Sequence, residues 1–420
     1  MERTVWIINP YGSLPGESWS TYRSTMLAEC LARHGYAVTQ FISNFEHRGK
    51  TFRTGSRMVP AEGRYTIEIV PSTRYDSHVS IHRVRYEREF ARNLVARVEG
   101  AARPQFVILA EPSLFYYDIV LRGVLAHGQT ALVLDVIDLW PELFELALPA
   151  VARPFSGALL APLYYWRKRL YRRADAVVAV ARDYLALAAK LVDRPDVPLE
   201  VVYWSFDDRS DVNAAPSSDG ARILRELTAG KRAGEVWAVY AGTLGENYDI
   251  RAIVELSRCL PATLRSKTGL KFIVAGDGPL AGLCRASATD DFIFVGRLPP
   301  GELANLYRHA DIALSTYRGE STVSMPIKAF DYLRFGLPMV NSLGRDLGAL
   351  VQEHCVGLNY DPRHAGSLRA PVERLALDEA LRREMGENAA RLADAFTAER
   401  QYGKFVRVLD AVAQRRASTQ

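Results

Sequence analysis

Apolar and polar positions along the chain fall into two alternating patterns. Short, almost wholly apolar runs, TVWIINP (4–10), YAVTQFIS (36–43), QFVILA (105–110), ALVLDVID (131–138), AVVAV (176–180) and EVVYW (200–204), read as buried strands. Between them lie stretches of helical spacing, the first being SWSTYRSTMLAECLARHG (18–35), which Gly35 stops. Strands buried on both faces and joined by helices make a parallel sheet. The polar stretch DDRSDVNAAPSSDG (207–220) then breaks the pattern and has the composition of a linker. Beyond it the alternation resumes with VWAVYAG (236–242), KFIVAG (271–276), FIFVG (292–296), DIALST (311–316) and PMVNS (338–342). Two helices, LDEALRREMGENAARLADAF and AERQYGKFVRVLDAVAQRR, follow the last strand. The pattern predicts an α/β chain of two Rossmann-like, doubly wound domains, residues 1–206 and 207–395, with 396–420 as a closing helix. Two such domains leave an interdomain cleft at the carboxyl ends of their sheets, where ligands of this architecture bind.

Composition narrows the class. The 420 residues are 48% hydrophobic and 24% charged, enough for two ordinary cores. No run approaches the ~18 apolar residues of a membrane-spanning helix, and MERTVWIINP reads as a strand rather than a signal peptide, so a cytoplasmic protein is expected. Cys30, Cys259, Cys284 and Cys355 are scattered without a C-x-x-C pair, which suggests neither a zinc site nor a disulfide framework, and they are expected to be reduced and mostly buried. The net charge of +5 is mild, and basic residues are interleaved with acids almost throughout, which argues against a nucleic-acid partner. The exception is YYWRKRLYRR (164–173), with five basic and four aromatic residues in ten positions. A helix of that composition, through Trp166, Arg167, Lys168 and Arg169, suits an anionic membrane surface, or equally a solvated face whose long stems pack on neighbours.

Three glycine turns of the second half follow strands and precede helices. AGTLGENYD (241–249) places Gly242, Thr243, Leu244 and Gly245 where backbone amides can meet a phosphate, or where they simply make a turn. AGDGPL (275–280) holds Gly276 and Asp277, the latter also a candidate helix cap. VGRLPPGEL (295–303) sets Arg297 and Leu298 at the rim, where a guanidinium can hold a base or diphosphate or remain solvated.

The segment SMPIKAFDYLRFGLP (324–338) carries the sharper anomaly. Ser324 and Pro326 suit a helix start, which puts Lys328 in a first turn, where the helix dipole disfavours a cation by ~0.3–1 kcal/mol unless an anion is near. Asp331 lies three positions on, on the same face. A diphosphate at the helix end would balance Lys328, with Asp331 accepting from ribose hydroxyls. The alternative is a local Lys–Asp pair on a surface helix, which the apolar sequence AFDYLRFGLPMV disfavours.

Taken in order, G-x-L-G after a strand, A-G-D-G-P, V-G-R-L and S-x-P-x-K-A-F-D-Y-L-x-F-G-L-P resemble the donor half of bacterial family 4 glycosyltransferases of GT-B fold. INPYGSLPGE, SNFEHRGKTFR and DVIDLWPEL resemble the acceptor domain of the branch that builds cell-surface polysaccharides such as lipopolysaccharide, O-antigen or capsule. The resemblance covers nearly the whole chain. It implies a retaining transferase that takes a sugar from a nucleotide diphosphate, most often uridine diphosphate, without a metal cofactor, and a last helix that crosses back onto the first domain. By position, Lys328 would neutralise the leaving diphosphate, Asp331 and Ser324 would sit at its nucleoside and helix ends, Gly242 to Gly245 would lie beneath the phosphates, and Gly12 and Ser13 would form the facing loop. Glu17, Arg23, His47, Arg48, Lys50 and Arg53 are the candidate acceptor contacts, the basic loop at 47–53 suiting an acceptor with phosphate, such as a lipid diphosphate. His47 is also a candidate catalytic residue, and is equally readable as an ordinary surface histidine.

Two departures bear on the site. Members often carry two acids eight apart around this helix, and the position eight before Asp331 is Val323, with Glu320 out of register. Many also place Arg and Lys after the phosphate loop, where this chain has GENYDI. Anion stabilisation would then fall on Lys328 and Arg297. Asp138, at the end of ALVLDVID, can accept the acceptor hydroxyl's proton or orient that hydroxyl, or cap a helix before Trp140 and Pro141. A peripheral enzyme at the cytoplasmic face of the inner membrane is expected. A nucleotide-sugar epimerase of the same fold and a non-catalytic nucleotide-sugar-binding protein are the alternatives.

Overall fold

A computed structural model describes every residue except 1, 2, 16, 18–21, 48, 61–63, 78, 79, 112, 113, 127, 129, 150, 207–218 and 420. The expected linker therefore lies almost wholly outside the described residues, as do Arg48 and the start of the first predicted helix, which is described as Arg23–Arg33. The chain divides into two compact units, Met1–Trp204 with Ala398–Gln420, and Ser205–Thr397.

The first unit is built on β1 (Arg3–Ile8), β2 (Tyr36–Ser43), a small hairpin of β3 (Phe45–Glu46) and β4 (Thr51–Phe52), then β5 (Arg57–Met58), β6 (Tyr65–Val70), β7 (Phe106–Glu111), β8 (Ala131–Val136), β9 (Ala176–Ala179) and β10 (Leu199–Val201). Its eight-stranded sheet runs β10-β9-β8-β7-β1-β2-β6-β5, parallel except for the edge pair β5–β6. The central register aligns Val5 with Val38 and Ile7 with Ile108, and every residue of β8 is buried, as a sheet covered on both faces requires. Besides the two-residue strands β3, β4 and β5, strand β6 is an addition to the expected set. Its Tyr65, Ile67 and Ile69 face the core while Glu68 is held by Arg97 at 2.9 Å. The helix Ala398–Thr419 belongs to this unit, and its Tyr402, Phe405, Leu409 and Val412 are buried in the same core as Val5 and Leu27.

A buried ion pair ties this unit together. Arg23 is fully buried, donates from Nε and Nη2 to Asp135 at 2.9 and 2.8 Å, and donates from Nη1 to the Tyr203 carbonyl at 3.0 Å. Asp135→Ala leaves that guanidinium buried without its carboxylate and is expected to cost about 3–5 kcal/mol, read from the urea midpoint.

The second unit contains β11 (Trp237–Ala241), β12 (Lys271–Ala275), β13 (Phe292–Gly296), β14 (Ile312–Ser315), β15 (Met339–Asn341) and β16 (Gly357–Asn359). They form a wholly parallel sheet in the order β13-β12-β11-β14-β15-β16. The order reverses between β11 and β14, the switch point at whose carboxyl side doubly wound sheets open a ligand crevice. Among the described residues no helix is long and apolar enough to cross a membrane. The four cysteines are unbridged, but Cys259 and Cys355 are exposed, so only half of the set is buried.

Candidate functional site

At the switch point of the second unit the chain assembles a cage around one ammonium group. The helix Ile327–Arg334 begins after Pro326 and carries Lys328 as its second residue. Lys328 is only 8% exposed, and its Nζ has no hydrogen-bond partner. Three tyrosine rings surround it, with centroids at 4.0 Å for Tyr240, 4.7 Å for Tyr248 and 5.1 Å for Tyr317. Tyr240 comes from β11, and Tyr248 and Tyr317 come from the loops after β11 and β14, which Tyr248 and Tyr317 join as an isolated bridge. Burial keeps all three phenols neutral by pushing their pKa values up, and it lowers that of Lys328 to about 7. The cation is thus held by aromatic faces in place of a carboxylate. The local Lys328–Asp331 pair does not form: Asp331 is half-buried on the same helix, and burial alone accounts for the lysine's shift.

The glycine turns explain how the cage closes. Gly242 and Gly276 both have φ of +147°, a backbone region open to glycine, and a Cβ on Gly276 would lie 1.8 Å from the Gly242 carbonyl oxygen. The turns after β11 and β12 are laced together by Gly242 N donating to Ala275 O at 3.0 Å and Leu244 N to Asp277 O at 2.9 Å. Those two amides are engaged within the protein, which leaves Thr243 and Gly245 as the turn's candidates for an anion. A Cβ on Gly242 would stand 3.3 Å from Lys328 Nζ, so the buried charge backs this turn directly.

Other donor candidates divide by placement. Arg297 and Asp277 are exposed at the ends of β13 and β12, with Asp277 accepting from Gly278 N at 2.8 Å. Leu244 and Leu298 are core side chains and can offer a ligand only backbone. Ser324 does not cap the Lys328 helix. It is fully buried, and its hydroxyl accepts at 3.3 Å from Asp346 N, at the start of the next helix, Asp346–Glu353. A cavity of about 460 Å³ shares Tyr248 with the cage and is lined by Asp249, Arg251, Arg318, Glu320 and Arg363. Glu320, out of register in the sequence, therefore lines a cavity that meets the cage at Tyr248.

A second constellation lies in the first unit at the carboxyl ends of its strands. Asp138 is half-buried, and burial pushes its carboxyl pKa up against the pull of the Arg83 cation. It does not cap the following helix, Glu142–Ala147, whose N-cap is Pro141. Arg83 lies over Trp140 at 4.5 Å and over Tyr11 at 4.9 Å, and donates to the Tyr11 hydroxyl at 3.0 Å. The Tyr11 hydroxyl in turn donates to Glu87, which lies 3.3 Å from Arg83 Nε. Close by, His47 is hydrogen-bonded to the Tyr75 hydroxyl, and Lys50 Nζ sits 4.2 Å from the Tyr75 ring without a hydrogen-bond partner.

The structure corrects the expected contacts of Arg23, Glu17, Arg53 and Arg167. Arg23 is committed to Asp135. Arg53 is committed to Glu17, with Nε and Nη2 each 2.7 Å from its carboxylate, and to the Gly12 carbonyl at 2.9 Å, so Glu17 and Arg53 together brace the loop after β1. Gly12 is itself packed tightly, since a Cβ there would lie 2.7 Å from Ile42, and Ser13 is buried with its carbonyl accepting from Thr25. Arg167, expected on a membrane face, is buried and bonded to Glu142 at 2.6 Å and to the Trp140 carbonyl at 2.8 Å. Trp166, Lys168 and Arg169 are exposed on the helix Ala161–Arg173.

Arg83 and the three cage tyrosines are the residues that sequence reasoning missed. Each tyrosine stands at a strand end or just after one, in AVYAG, ENYD and STYRG, but nothing local marks the three as neighbours. As for a metal, Cys30, His34 and Glu399 come within 4.8 Å of one another. His34 Nδ1 already meets the Cys30 carbonyl at 2.9 Å and Glu399 holds Arg33 at 2.8 Å, so this trio is structural as it stands.

No curated protein matches the chain by sequence. Solved structures do resemble it. The sucrose-phosphate synthase of Thermosynechococcus elongatus has a TM-score of 0.72 at 15% identity, covering 98% of this chain and 100% of its own. HepE of Anabaena, in complex with UDP and glucose, gives 0.66 at 13% identity over 98% and 100%. WaaG, a glycosyltransferase involved in lipopolysaccharide biosynthesis, gives 0.64 at 15% identity over 96% and 99%. The family model described as "Glycosyl transferases group 1" matches residues 236–378, the span that contains β11 to β16 and the Lys328 cage. The second unit thus carries a group 1 glycosyltransferase domain, and the chain as a whole has the GT-B fold.

Proposed function

We propose that this protein is a retaining glycosyltransferase that moves a sugar from a nucleotide diphosphate, a uridine diphosphate sugar in the first instance, to a lipid-linked or glycan acceptor in bacterial surface polysaccharide assembly. The observation that carries the reading is Lys328: a buried cation without a counter-anion, set against the turn of Gly242 to Gly245 at the sheet's switch point. Breaking the bond from the sugar's anomeric carbon to phosphate builds negative charge on the leaving diphosphate, and a preorganised cation beside it lowers that barrier. The cavity beside Tyr248, lined by both acids and arginines, suits the hydroxyls of the sugar. Asp138 accepts the proton of the acceptor hydroxyl or holds that hydroxyl in place as the new carbon–oxygen bond forms. No protein nucleophile and no metal are required in this scheme. Support for uridine diphosphate comes from HepE, whose structure contains it, and support for the pathway from WaaG and its part in lipopolysaccharide biosynthesis. We place the enzyme at the cytoplasmic face of the inner membrane, with the exposed side of the helix Ala161–Arg173 toward it.

Thermal denaturation with a panel of nucleotide sugars tests the donor. At one hundred times its dissociation constant the true donor stabilises by about 2.7 kcal/mol, a shift of a few degrees. Shifts with no nucleotide sugar in the panel contradict the reading. An isomerised sugar formed from labelled donor alone favours the epimerase instead.

A further inference from the structure

Nine large apolar side chains are exposed among the described residues, and five of them fall within sixteen positions. Val151 is 84% exposed, Phe155 66%, Leu159 57%, Tyr165 60% and Trp166 46%. This ridge leads into the helix Ala161–Arg173, where Trp166, Arg169, Leu170 and Arg173 recur at helical spacing along one face. That face forms one wall of a groove of about 280 Å³, whose other wall is the helix Tyr117–Gly123 with Leu121 and Arg122. The floor is apolar, since Leu170 and Leu114 are buried, and the rim carries three arginines. Its one carboxylate, Asp118, is held by Arg122 at 2.7 Å. Arg169 and Arg173 have no ion-pair partner among the described residues, whereas Arg172 lies 3.5 Å from Asp193.

An apolar-floored groove with two uncompensated guanidinium groups, beside a ridge of exposed aromatic and aliphatic side chains, matches one kind of occupant in both charge and polarity. We propose that the groove between the helices Tyr117–Gly123 and Ala161–Arg173 binds the phosphate-bearing end of an anionic phospholipid, with the lipid's first methylenes on Leu114, Leu121 and Leu170. The ridge from Val151 to Leu159 inserts at the boundary between headgroups and acyl chains. Arg169 and Arg173 meet the phosphate as charge-assisted donors, which a lysine pair would do with less directional fit. The proposal deepens the membrane contact suggested above. Its readout is vesicle binding rather than sugar transfer, so either can fail alone.

The test is co-sedimentation of the full chain with vesicles of phosphatidylglycerol and phosphatidylcholine at near-physiological salt, against vesicles of phosphatidylcholine alone. The wild-type protein is expected to bind the mixed vesicles strongly and the neutral ones weakly, and 10-fold molar excess of inorganic phosphate over lipid is expected not to displace it, on the grounds that the ridge adds contacts free phosphate lacks. Replacing both Arg169 and Arg173 by Gln is expected to weaken binding roughly 20–30-fold, about fivefold for each charge. Leu121→Trp, which fills the groove at constant charge, is expected to weaken it as well, with unchanged circular dichroism. Lys168→Gln, off the groove face, provides the comparison for charge alone. Equal losses for Lys168→Gln and for Arg169→Gln, together with full binding by Leu121→Trp, overturn the groove as the site. So does an absence of any preference for phosphatidylglycerol.

Discussion

Replacing Lys328 by methionine is expected to lower turnover about 10²- to 10³-fold, the usual loss when one preorganised stabiliser of developing negative charge is removed. The same substitution is expected to make the free protein more stable. A lysine whose folded pKa is lowered to about 7 binds its proton less well folded than unfolded. Between about pH 7 and the ordinary lysine pKa of about 10.4 the unfolded chain carries the extra proton, so stability rises with pH across that window and is flat on either side. The penalty is fully present below pH 7 and amounts to a few kcal/mol at about 1.4 kcal/mol per pK unit. Thermal unfolding at pH 6, 8 and 10 should therefore show a rising midpoint for the wild type and a shallower rise for Lys328→Met, in which Lys50 and Lys404, also lowered by burial, remain. An anion bound at the cage restores the proton, so donor affinity should fall above pH 7 with proton uptake on binding. Burial pushes the phenol pKa values of Tyr240, Tyr248, Tyr317 and Tyr332 up, away from this range, and it raises that of the nearby Asp249 carboxyl.

Asp138→Asn is expected to lower kcat about 10²- to 10⁴-fold if the carboxylate takes the acceptor proton, with the donor's dissociation constant unchanged. Burial raises this carboxyl's pKa, and the ionised form is the active one, so the acid limb of the pH profile should lie above the ordinary carboxylate range. Arg83 opposes the shift, and Arg83→Gln should move that limb further toward neutral pH. A carboxylate that only orients the hydroxyl would leave substantial activity in Asp138→Asn and no displaced acid limb. Rates and profiles measured with a saturating donor separate the two roles.

Both sheets were legible because their strands are buried on two faces and therefore apolar throughout, as in ALVLDV and WAVYA. Strands β6 and β16 were not: YTIEIV keeps Glu68 on a face where arginines cover it, and the edge strand at 357–359 is three residues, GLN, with a single buried position. The cation in a helix first turn was legible as well, since the dipole argument needs only local sequence. Its surroundings were not, because Tyr240, Tyr248 and Tyr317 come from different segments and meet only once the loops after β11 and β14 have joined. The same limit explains the misread arginines. Arg23 pairs with a carboxylate 112 positions away and Arg53 with one 36 positions away, and an unpaired reading of either makes it look available to a ligand. The glycines at 242 and 276, read in the sequence as room for a phosphate, serve the close approach of one turn to the other.

The most direct test is a crystal structure of the protein with uridine diphosphate bound. The account predicts the diphosphate against Thr243 and Gly245, at the amino end of the helix Ile327–Arg334, with Lys328 Nζ closer than a screening length of about 8 Å and Asp331 toward the ribose. A diphosphate bound elsewhere, with the Lys328 cage closed and remote from it, contradicts the account.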